Sequence, residues 1–166
     1  YMVSRSPEDF FKLLLTQQVT VLNQTPSAFR QLIQVEESLE KSHNLSLRKV
    51  IFGGEALQIE SLRPWFERHG DQFPQLVNMY GNTETTVHVT YRPLTKADLE
   101  VASESLIGIP IPDLQVYLLD SYGQPVPIGI PGEMYIGGAG VVRGYLNRST
   151  LTSQRFIPNR FSNKPN

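Results

Sequence analysis

Cysteine is missing altogether from the 166 residues. Its absence removes a structural disulfide, a thiolate metal site and a cysteine nucleophile in one step. Long apolar runs are missing too: none approaches the about 18 residues that a bilayer span needs. The opening Tyr1-Met-Val-Ser-Arg5 has no apolar signal-peptide core. A cytoplasmic chain is therefore expected. Charge of one sign is also lacking, since 15 Lys and Arg stand against 16 Asp and Glu for a formal net charge of -1. Such a balance leaves no electrostatic footprint for nucleic acid or an anionic membrane. No strand signal runs into Gly-x-Gly-x-x-Gly at a helix start, which disfavours a plain flavoprotein or Rossmann dehydrogenase. Internal repeats and low-complexity tracts are absent as well. With these classes set aside, the apolar content suffices for the core of an ordinary domain.

The first two-thirds of the chain alternates helix and strand signals. Ser6-Pro7-Glu8-Asp9 is a helix start, with a capping serine, a first-turn proline and acids that complement the dipole. Phe10, Phe11, Leu14 and Leu15 give that helix an apolar face. Val19–Asn23 reads as a strand. Thr25-Pro26 opens a second helix, with Phe29, Leu32, Ile33 and Leu39 at near-helical spacing. Lys49–Phe52 is the next strand, broken by Gly53-Gly54. Ile59, Leu62, Trp65 and Phe66 mark a third helix that Gly70 stops after a basic last turn, and Gln75–Met79 supplies another strand. Strands joined through helices favour a parallel sheet with right-handed crossovers. The expected class is α/β, a doubly wound, mostly parallel, flavodoxin-like layer over residues 1–110. Ligands of such sheets gather at the carboxyl ends of the strands. Here those ends are Asn23, Gly53-Gly54 and Met79-Tyr80-Gly81.

Beyond about Pro110 the pattern turns to period two with frequent turns. Leu114–Asp120, a turn at Ser121-Tyr-Gly123, and Glu133–Ile136 predict a small antiparallel β subdomain over residues 111–166. Ser149–Arg155 reads as a short helix, and the tail beyond Arg160 as loose. Neither end of the chain has the look of a natural terminus, so we read the sequence as a partial segment of a larger fold.

Two strings stand out: Asn78-Met-Tyr-Gly-Asn-Thr-Glu-Thr-Thr86 and Gly132-Glu-Met-Tyr-Ile-Gly-Gly-Ala-Gly-Val-Val-Arg-Gly-Tyr-Leu146. Each is a strand running into a loop of glycines and small polar residues, a construction that brings backbone amides against a nucleotide. Taken singly, any of these residues is an ordinary turn or core residue. Together, in this order and separation, the strings resemble core motifs of the adenylate-forming enzymes, most closely the amino-acid adenylation domains of non-ribosomal peptide synthetases.

The resemblance implies roles residue by residue. Asn78 would hydrogen-bond the adenine amino group, Tyr80 would pack along the base, Gly54 and Gly81 would allow close approach, Thr83 would reach the phosphates, and Glu84 would ligate Mg²⁺. The chemical types suit these tasks: an amide reads a purine edge, an aromatic stacks, and a carboxylate suits a hard cation. Where the family commonly has proline this chain has Asn82, which predicts a less rigid loop. The run Gly137-Gly-Ala-Gly140 lacks the lysine and following Ser/Thr of a P-loop. A structural role is expected for it and for Arg143 and Gly144.

The family reads its amino acid at positions matching Asn23, Ile51, Gly53, Met79, Val87 and His88, and Asn-Ile-Gly-Met-Val-His resembles the pattern of threonine-activating domains. Gly53 leaves depth, Ile51, Met79 and Val87 offer apolar contact for a methyl, and His88 or Asn23 suits a hydroxyl. The implied activity is ATP- and Mg²⁺-dependent formation of aminoacyl-AMP, followed by loading onto the phosphopantetheine of a peptidyl carrier domain, with a condensation domain as a further partner. The thioester sulfur would belong to that carrier. The resemblance also places further site groups outside these residues: a phosphate loop and an amino-group aspartate upstream, and a ribose-binding aspartate and a lysine downstream. This segment alone is thus expected to carry specificity and part of the nucleotide site, with little or no turnover. The runners-up are an acyl-CoA or aryl-acid ligase of the same superfamily and a non-catalytic binding or specificity module.

Overall fold

The computed structural model describes residues 5–39, 44–101 and 105–162. Helix α1, Pro7–Thr16, begins as the sequence predicts: the Ser6 side chain accepts from the Asp9 amide and Pro7 sits in the first turn. Strand β1 spans Val21–Gln24. Helix α2, Pro26–Ser38, is capped by the Thr25 hydroxyl, which accepts from the Ala28 amide. Leu39 follows α2 as an exposed residue and takes no part in its apolar face, a correction to the near-helical spacing read from the sequence. Strand β2 is Lys49–Phe52. The third helix starts as a 3₁₀ turn at Ile59–Leu62 and becomes α-helical as α3, Arg63–His69, where Pro64 favours the first turn. Gly70 closes it. Then come β3 (Gln75–Tyr80), a 3₁₀ turn at Thr83–Thr85, β4 (Thr90–Pro93), the short α4 (Asp98–Val101) and β5 (Ile109–Pro110). The chain continues with β6 (Leu114–Leu119), β7 (Glu133–Gly138) and α5 (Ser149–Arg155).

The larger sheet runs β1-β2-β3-β4-β5, with β1, β2 and β3 parallel, and the smaller pairs β6 with β7 antiparallel. The fold is therefore α/β, with a mostly parallel five-stranded sheet and a two-stranded antiparallel one. Among the described residues no helix is long and apolar enough to cross a membrane. The chain falls into two compact units, one of residues up to Tyr80 with Tyr91–Gly108, the other of Gly81–Thr90 with the residues from Ile109 on.

The first unit is built around one core. Phe11 and Leu14 of α1, Phe29, Leu32 and Ile33 of α2, and Trp65 and Phe66 of α3 join Leu22, Val50, Phe52 and Leu76 of the sheet. Phe29 links the layers, its ring centroid 5.1 Å from Phe52 and 4.8 Å from Trp65. Below it, Trp65 lies 4.1 Å from the His69 ring, whose Nε2 is 2.9 Å from the buried Glu36 carboxylate. Arg68 reaches the same carboxylate at 3.2 Å. A buried acid on α2 is thus matched by two groups from α3, the condition under which such burial is tolerated.

In the second unit, Leu114 and Leu119 of β6 are buried beside a register running from Leu114 opposite Gly138 to Leu119 opposite Glu133. Asp120 organises the turn after β6 by accepting from the Tyr122 and Gln124 amides. Phe161 departs from the loose tail expected beyond Arg160. The Phe161 ring stacks on Tyr117 at 4.7 Å and its amide donates to Asn159 Oδ1, because an aromatic next to a sheet face gains more by packing than by hydration. Residues 163–166 lie outside the described ones.

Candidate functional site

In the first unit, the parallel register sets Asn23 beside Ile51 and Ile51 beside Val77. Side chains alternate along a strand, so Asn23, Ile51 and Met79 occupy one sheet face, with Gly53 next in line on that face. Leu22, Val50, Phe52 and Leu76 turn to the opposite face and into the helix-covered core. Asn23 is exposed and Ile51, Gly53 and Met79 are half-buried. These four expected substrate-binding positions are therefore brought together at the carboxyl ends of three adjacent strands.

Asn78 points to the core side and is 2 % exposed. Its Nδ2 donates to the Leu106 carbonyl at 2.7 Å and lies 3.3 Å from Ser105 Oγ. A carbonyl only accepts, so the nitrogen must face it, and the Asn78 Oδ1 is left as the atom with which this side chain accepts a bond. Tyr80 ends β3 and is 39 % exposed. Gly54 has φ +83°, and the nearest atom to a methyl built there is Thr25 Cγ2 at 3.8 Å. Its backbone favours glycine while the space around it stays open. Nearby, Glu55 caps α2 from outside, accepting from the Ser27 amide and hydroxyl.

The second unit holds the rest of the first string as a tight, bonded turn. Asn82 Oδ1 accepts from the Thr85 hydroxyl at 2.8 Å, while the Asn82 amide donates back to that oxygen at 3.3 Å. The Asn82 carbonyl accepts from the Thr85 and Val87 amides. In place of the looser loop expected at Asn82, the structure shows a turn tied by reciprocal hydrogen bonds between Asn82 and Thr85, on an extended backbone with φ −141°. Thr86 and Val87 both have positive φ, 55° and 76°. The His88 amide donates to the Thr86 carbonyl, closing a three-residue turn centred on Val87. Positive φ is a rare state for a β-branched residue, and such strain persists only where surroundings enforce it. Gly81 is part of the enforcement. A methyl built there would lie 2.1 Å from the Val87 carbonyl oxygen and 2.8 Å from the His88 Cα.

Thr83 is exposed at the start of the 3₁₀ turn and Glu84 is half-buried beside it. The Glu84 carboxyl is held below its ordinary range, first by the hydrogen bond from the Tyr145 hydroxyl and then by its own backbone amide. Reciprocally, Tyr145 is raised by the bond it gives to Glu84. Among the described residues no group of three or more His, Asp and Glu comes together. An ionised carboxylate next to a threonine hydroxyl nevertheless fits Mg²⁺, which commonly takes one or two protein carboxylates and completes its shell with water and substrate phosphates.

The second string closes on this turn. Val142 N–H donates to the Glu84 carbonyl, the Thr86 hydroxyl donates to the Gly140 carbonyl at 2.7 Å, and a methyl on Gly140 would lie 3.3 Å from the Thr85 carbonyl oxygen. Gly138 is packed more closely still, 2.4 Å from the Asp113 carbonyl oxygen to a built Cβ. Nothing in the sequence singles out Tyr145 for the site, since its partner lies 61 residues earlier. The geometry of the turn is thus assembled from both strings.

His88 is half-buried, and burial lowers its pKa. A lowered value in the folded state means that the fold prefers neutral imidazole. The associated stability is complete above the unfolded value of about 6.5 and is lost as pH falls from there through the folded value. NMR titration of the full-length protein should place the His88 midpoint below that of an unstructured histidine, and a midpoint at or above it would refute the assignment. Neutral imidazole both donates and accepts, which suits a hydroxyl partner.

Comparison with known proteins adds lineage to this geometry. A family model described as AMP-binding enzyme matches residues 2–146. The chain is 57% identical over 160 residues to a dimodular nonribosomal peptide synthase of Bacillus subtilis (strain 168), covering 96% of this chain and 7% of that protein. It is 49% identical over 157 residues to syringomycin synthase SyrB1 of Pseudomonas syringae pv. syringae, covering 95% of this chain and 25% of that protein. Among solved structures, McyG A-PCP complexed with phenylalanyl-adenylate matches with a TM-score of 0.82 at 28% identity, over 94% of this chain and 29% of that one. PA1221, an NRPS protein containing adenylation and PCP domains, matches with a TM-score of 0.77 at 31% identity, over 93% and 30%. The chain thus spans a quarter or less of the length of these two curated relatives.

Proposed function

Because the chain belongs to the AMP-binding enzyme family, we propose that it forms part of an adenylation domain of a non-ribosomal peptide synthetase, one that activates L-threonine. In this reading a substrate carboxylate oxygen attacks the α-phosphorus of ATP, the bond to pyrophosphate breaks, and aminoacyl-AMP forms. A phosphopantetheine thiolate on a carrier domain then attacks the acyl carbon and AMP leaves. Residues 1–110 act as the specificity and nucleotide-binding subdomain and 111–166 as the smaller β subdomain. Carrier and condensation domains are the partners, and a cytoplasmic setting supplies the ATP. The observation that carries the reading is Glu84, a carboxylate kept ionised in a turn that hydrogen bonds hold on both sides.

Each residue has a task that its chemistry suits. Asn78 accepts from the adenine amino group through Oδ1, and the ring of the exposed Tyr80 lies along the base. Gly54 and Gly81 admit the nucleotide at close range, and Thr83 donates its hydroxyl to a phosphate oxygen. Glu84 holds Mg²⁺, which when bound offsets the negative charge that gathers on the phosphates. Asn23, Ile51, Gly53 and Met79, with Val87 and His88, line the amino-acid site, the histidine bonding the threonine hydroxyl.

The test is amino-acid-dependent exchange of pyrophosphate into ATP by the full-length protein, with and without Mg²⁺, across the proteinogenic amino acids and a panel of aryl and fatty acids. Threonine should give the highest rate, with valine lower by at least about 100-fold because it leaves buried polar groups unpaired. A different preferred amino acid overturns the threonine reading alone. A preferred aryl or fatty acid moves the protein to another branch of the family, and no exchange with any acid overturns the ligase reading.

A further inference from the structure

Three hydrogen bonds cross between the turn at Asn82–His88 and the strand exit at Gly138–Tyr145. Two of them fix backbone: Val142 N–H to the Glu84 carbonyl at 2.9 Å, and the Thr86 hydroxyl to the Gly140 carbonyl at 2.7 Å. The third reaches the carboxylate itself, from the Tyr145 hydroxyl to Glu84 Oε1 at 2.5 Å. Tyr145 is in turn held from three sides. Its amide donates to Thr152 Oγ1 at 3.0 Å, its ring meets Phe156 edge-on with centroids 5.5 Å apart, and a methyl on the preceding Gly144 would collide with Thr152 Cγ2 at 2.4 Å.

This arrangement is over-determined for a surface tyrosine. The ring of Tyr145 packs against Phe156 at the C-terminal end of α5, its amide is tied to Thr152 of that helix, and its hydroxyl is committed to one oxygen of one carboxylate. A single charge-assisted bond of this kind both orients an acid and lowers its proton affinity. We infer that Tyr145 is a positioning residue for the Glu84 carboxylate, occupying Oε1 so that Oε2 is the oxygen given to a divalent cation. The inference rests on the reading of Glu84 as the cation ligand. Partners that orient metal-binding carboxylates from behind typically affect metal affinity by about 10- to 100-fold.

The test uses the full-length protein and Mn²⁺ as a paramagnetic probe. Mn²⁺ binding is measured by electron paramagnetic resonance in the presence of a non-cleavable α,β-methylene ATP analogue, for the parent protein, Tyr145→Phe, Glu84→Gln and the double variant. Tyr145→Phe keeps the ring and its contact with Phe156 and removes only the hydroxyl. The expected result is Mn²⁺ affinity weakened by about 10-fold or more in Tyr145→Phe, a larger loss in Glu84→Gln, and no further loss in the double variant. Binding of the analogue without metal should be the same in Tyr145→Phe and the parent, a result that a merely structural tyrosine would not give. If Glu84→Gln weakens Mn²⁺ binding while Tyr145→Phe matches the parent, the positioning role is overturned and the ligand role of Glu84 stands. If Glu84→Gln leaves Mn²⁺ binding intact, the ligand reading falls and the inference with it. Should Tyr145→Phe also lose analogue binding without metal, the tyrosine is a general scaffold for the turn and the inference is overturned.

Discussion

Gly81→Ala in the full-length protein should cost about 100-fold in nucleotide-dependent activity, the effect of moving a site by about 1 Å. It should also expose the amides of Asn82–His88 to rapid hydrogen exchange. The reason is space alone. No positive φ is involved, but the added methyl would sit 2.1 Å from the Val87 carbonyl oxygen and 2.8 Å from the Val87 carbonyl carbon and the His88 Cα. All three are backbone atoms, and a side-chain rotation cannot relieve the clash. The three-residue turn at Val87 must open, and with it go the Val87 N–H bond to Asn82 and the His88 N–H bond to Thr86. Overpacking of this kind costs about 1–3 kcal/mol where the surroundings yield. Gly54→Ala is the contrasting control. There the methyl finds open space, 3.8 Å from Thr25 Cγ2, and only the φ of +83° opposes it. The expected cost is that of a non-glycine residue in the left-handed region, about 1–2 kcal/mol, with the Asn82–His88 amides still protected. Hydrogen exchange of a peptide spanning residues 82–90 separates the two cases. Equal protection in Gly81→Ala and the parent would refute the contact.

The local rules of the sequence carried the fold a long way. Ser6 and Thr25 were readable as helix caps because a side-chain oxygen followed at once by proline and then an apolar period has few other uses, and both caps form. The parallel pairing of β1, β2 and β3 followed from the helices between them. The four expected substrate-binding positions of the first unit share a face because Ile51 pairs with Asn23 and with Val77, and Gly53 and Met79 each follow two residues later on their strands, a period visible in the sequence once the strands are known. The contacts that fix the site were less legible. Asn78 is held by Leu106 and Ser105, 28 and 27 residues away, and Glu84 by Tyr145. No propensity or period marks such a pair, since the partners meet only after the chain has folded. Asn82 shows the same limit at short range. Its type suggested a mobile turn, but its reciprocal bonds with Thr85 depend on a hydroxyl three residues on, whose orientation the sequence does not specify.

Asn78→Asp should be among the most damaging single-atom changes in the chain. The substitution exchanges an NH₂ group for an oxygen in a side chain that is 2 % exposed. The donor to the Leu106 carbonyl at 2.7 Å becomes an acceptor facing an acceptor. The Ser105 hydroxyl, 3.3 Å away, is a donor within reach of the new oxygen. Burying a charge so weakly paired costs up to about 5 kcal/mol, and an unsatisfied Leu106 carbonyl adds to the loss. The sign of the pH dependence identifies the cause. Burial and the facing carbonyl raise the folded pKa of the new carboxyl above its unfolded value of about 4. Below that unfolded value both states are protonated, and the neutral group can again donate to the Leu106 carbonyl. As pH rises through the folded value, the stabilisation of the protonated form is lost and the penalty reaches its full size. Asn78→Ala is the companion variant: it removes the donor and leaves a small cavity, at a cost that does not change with pH. Chemical denaturation of both variants and the parent, compared at matched pH between 4 and 8, should show the Asn78→Asp deficit shrinking on acidification while the Asn78→Ala deficit stays constant. A pH-independent Asn78→Asp deficit would mean that the new carboxyl is solvated, and that Asn78 does not occupy the buried position from which it donates to Leu106.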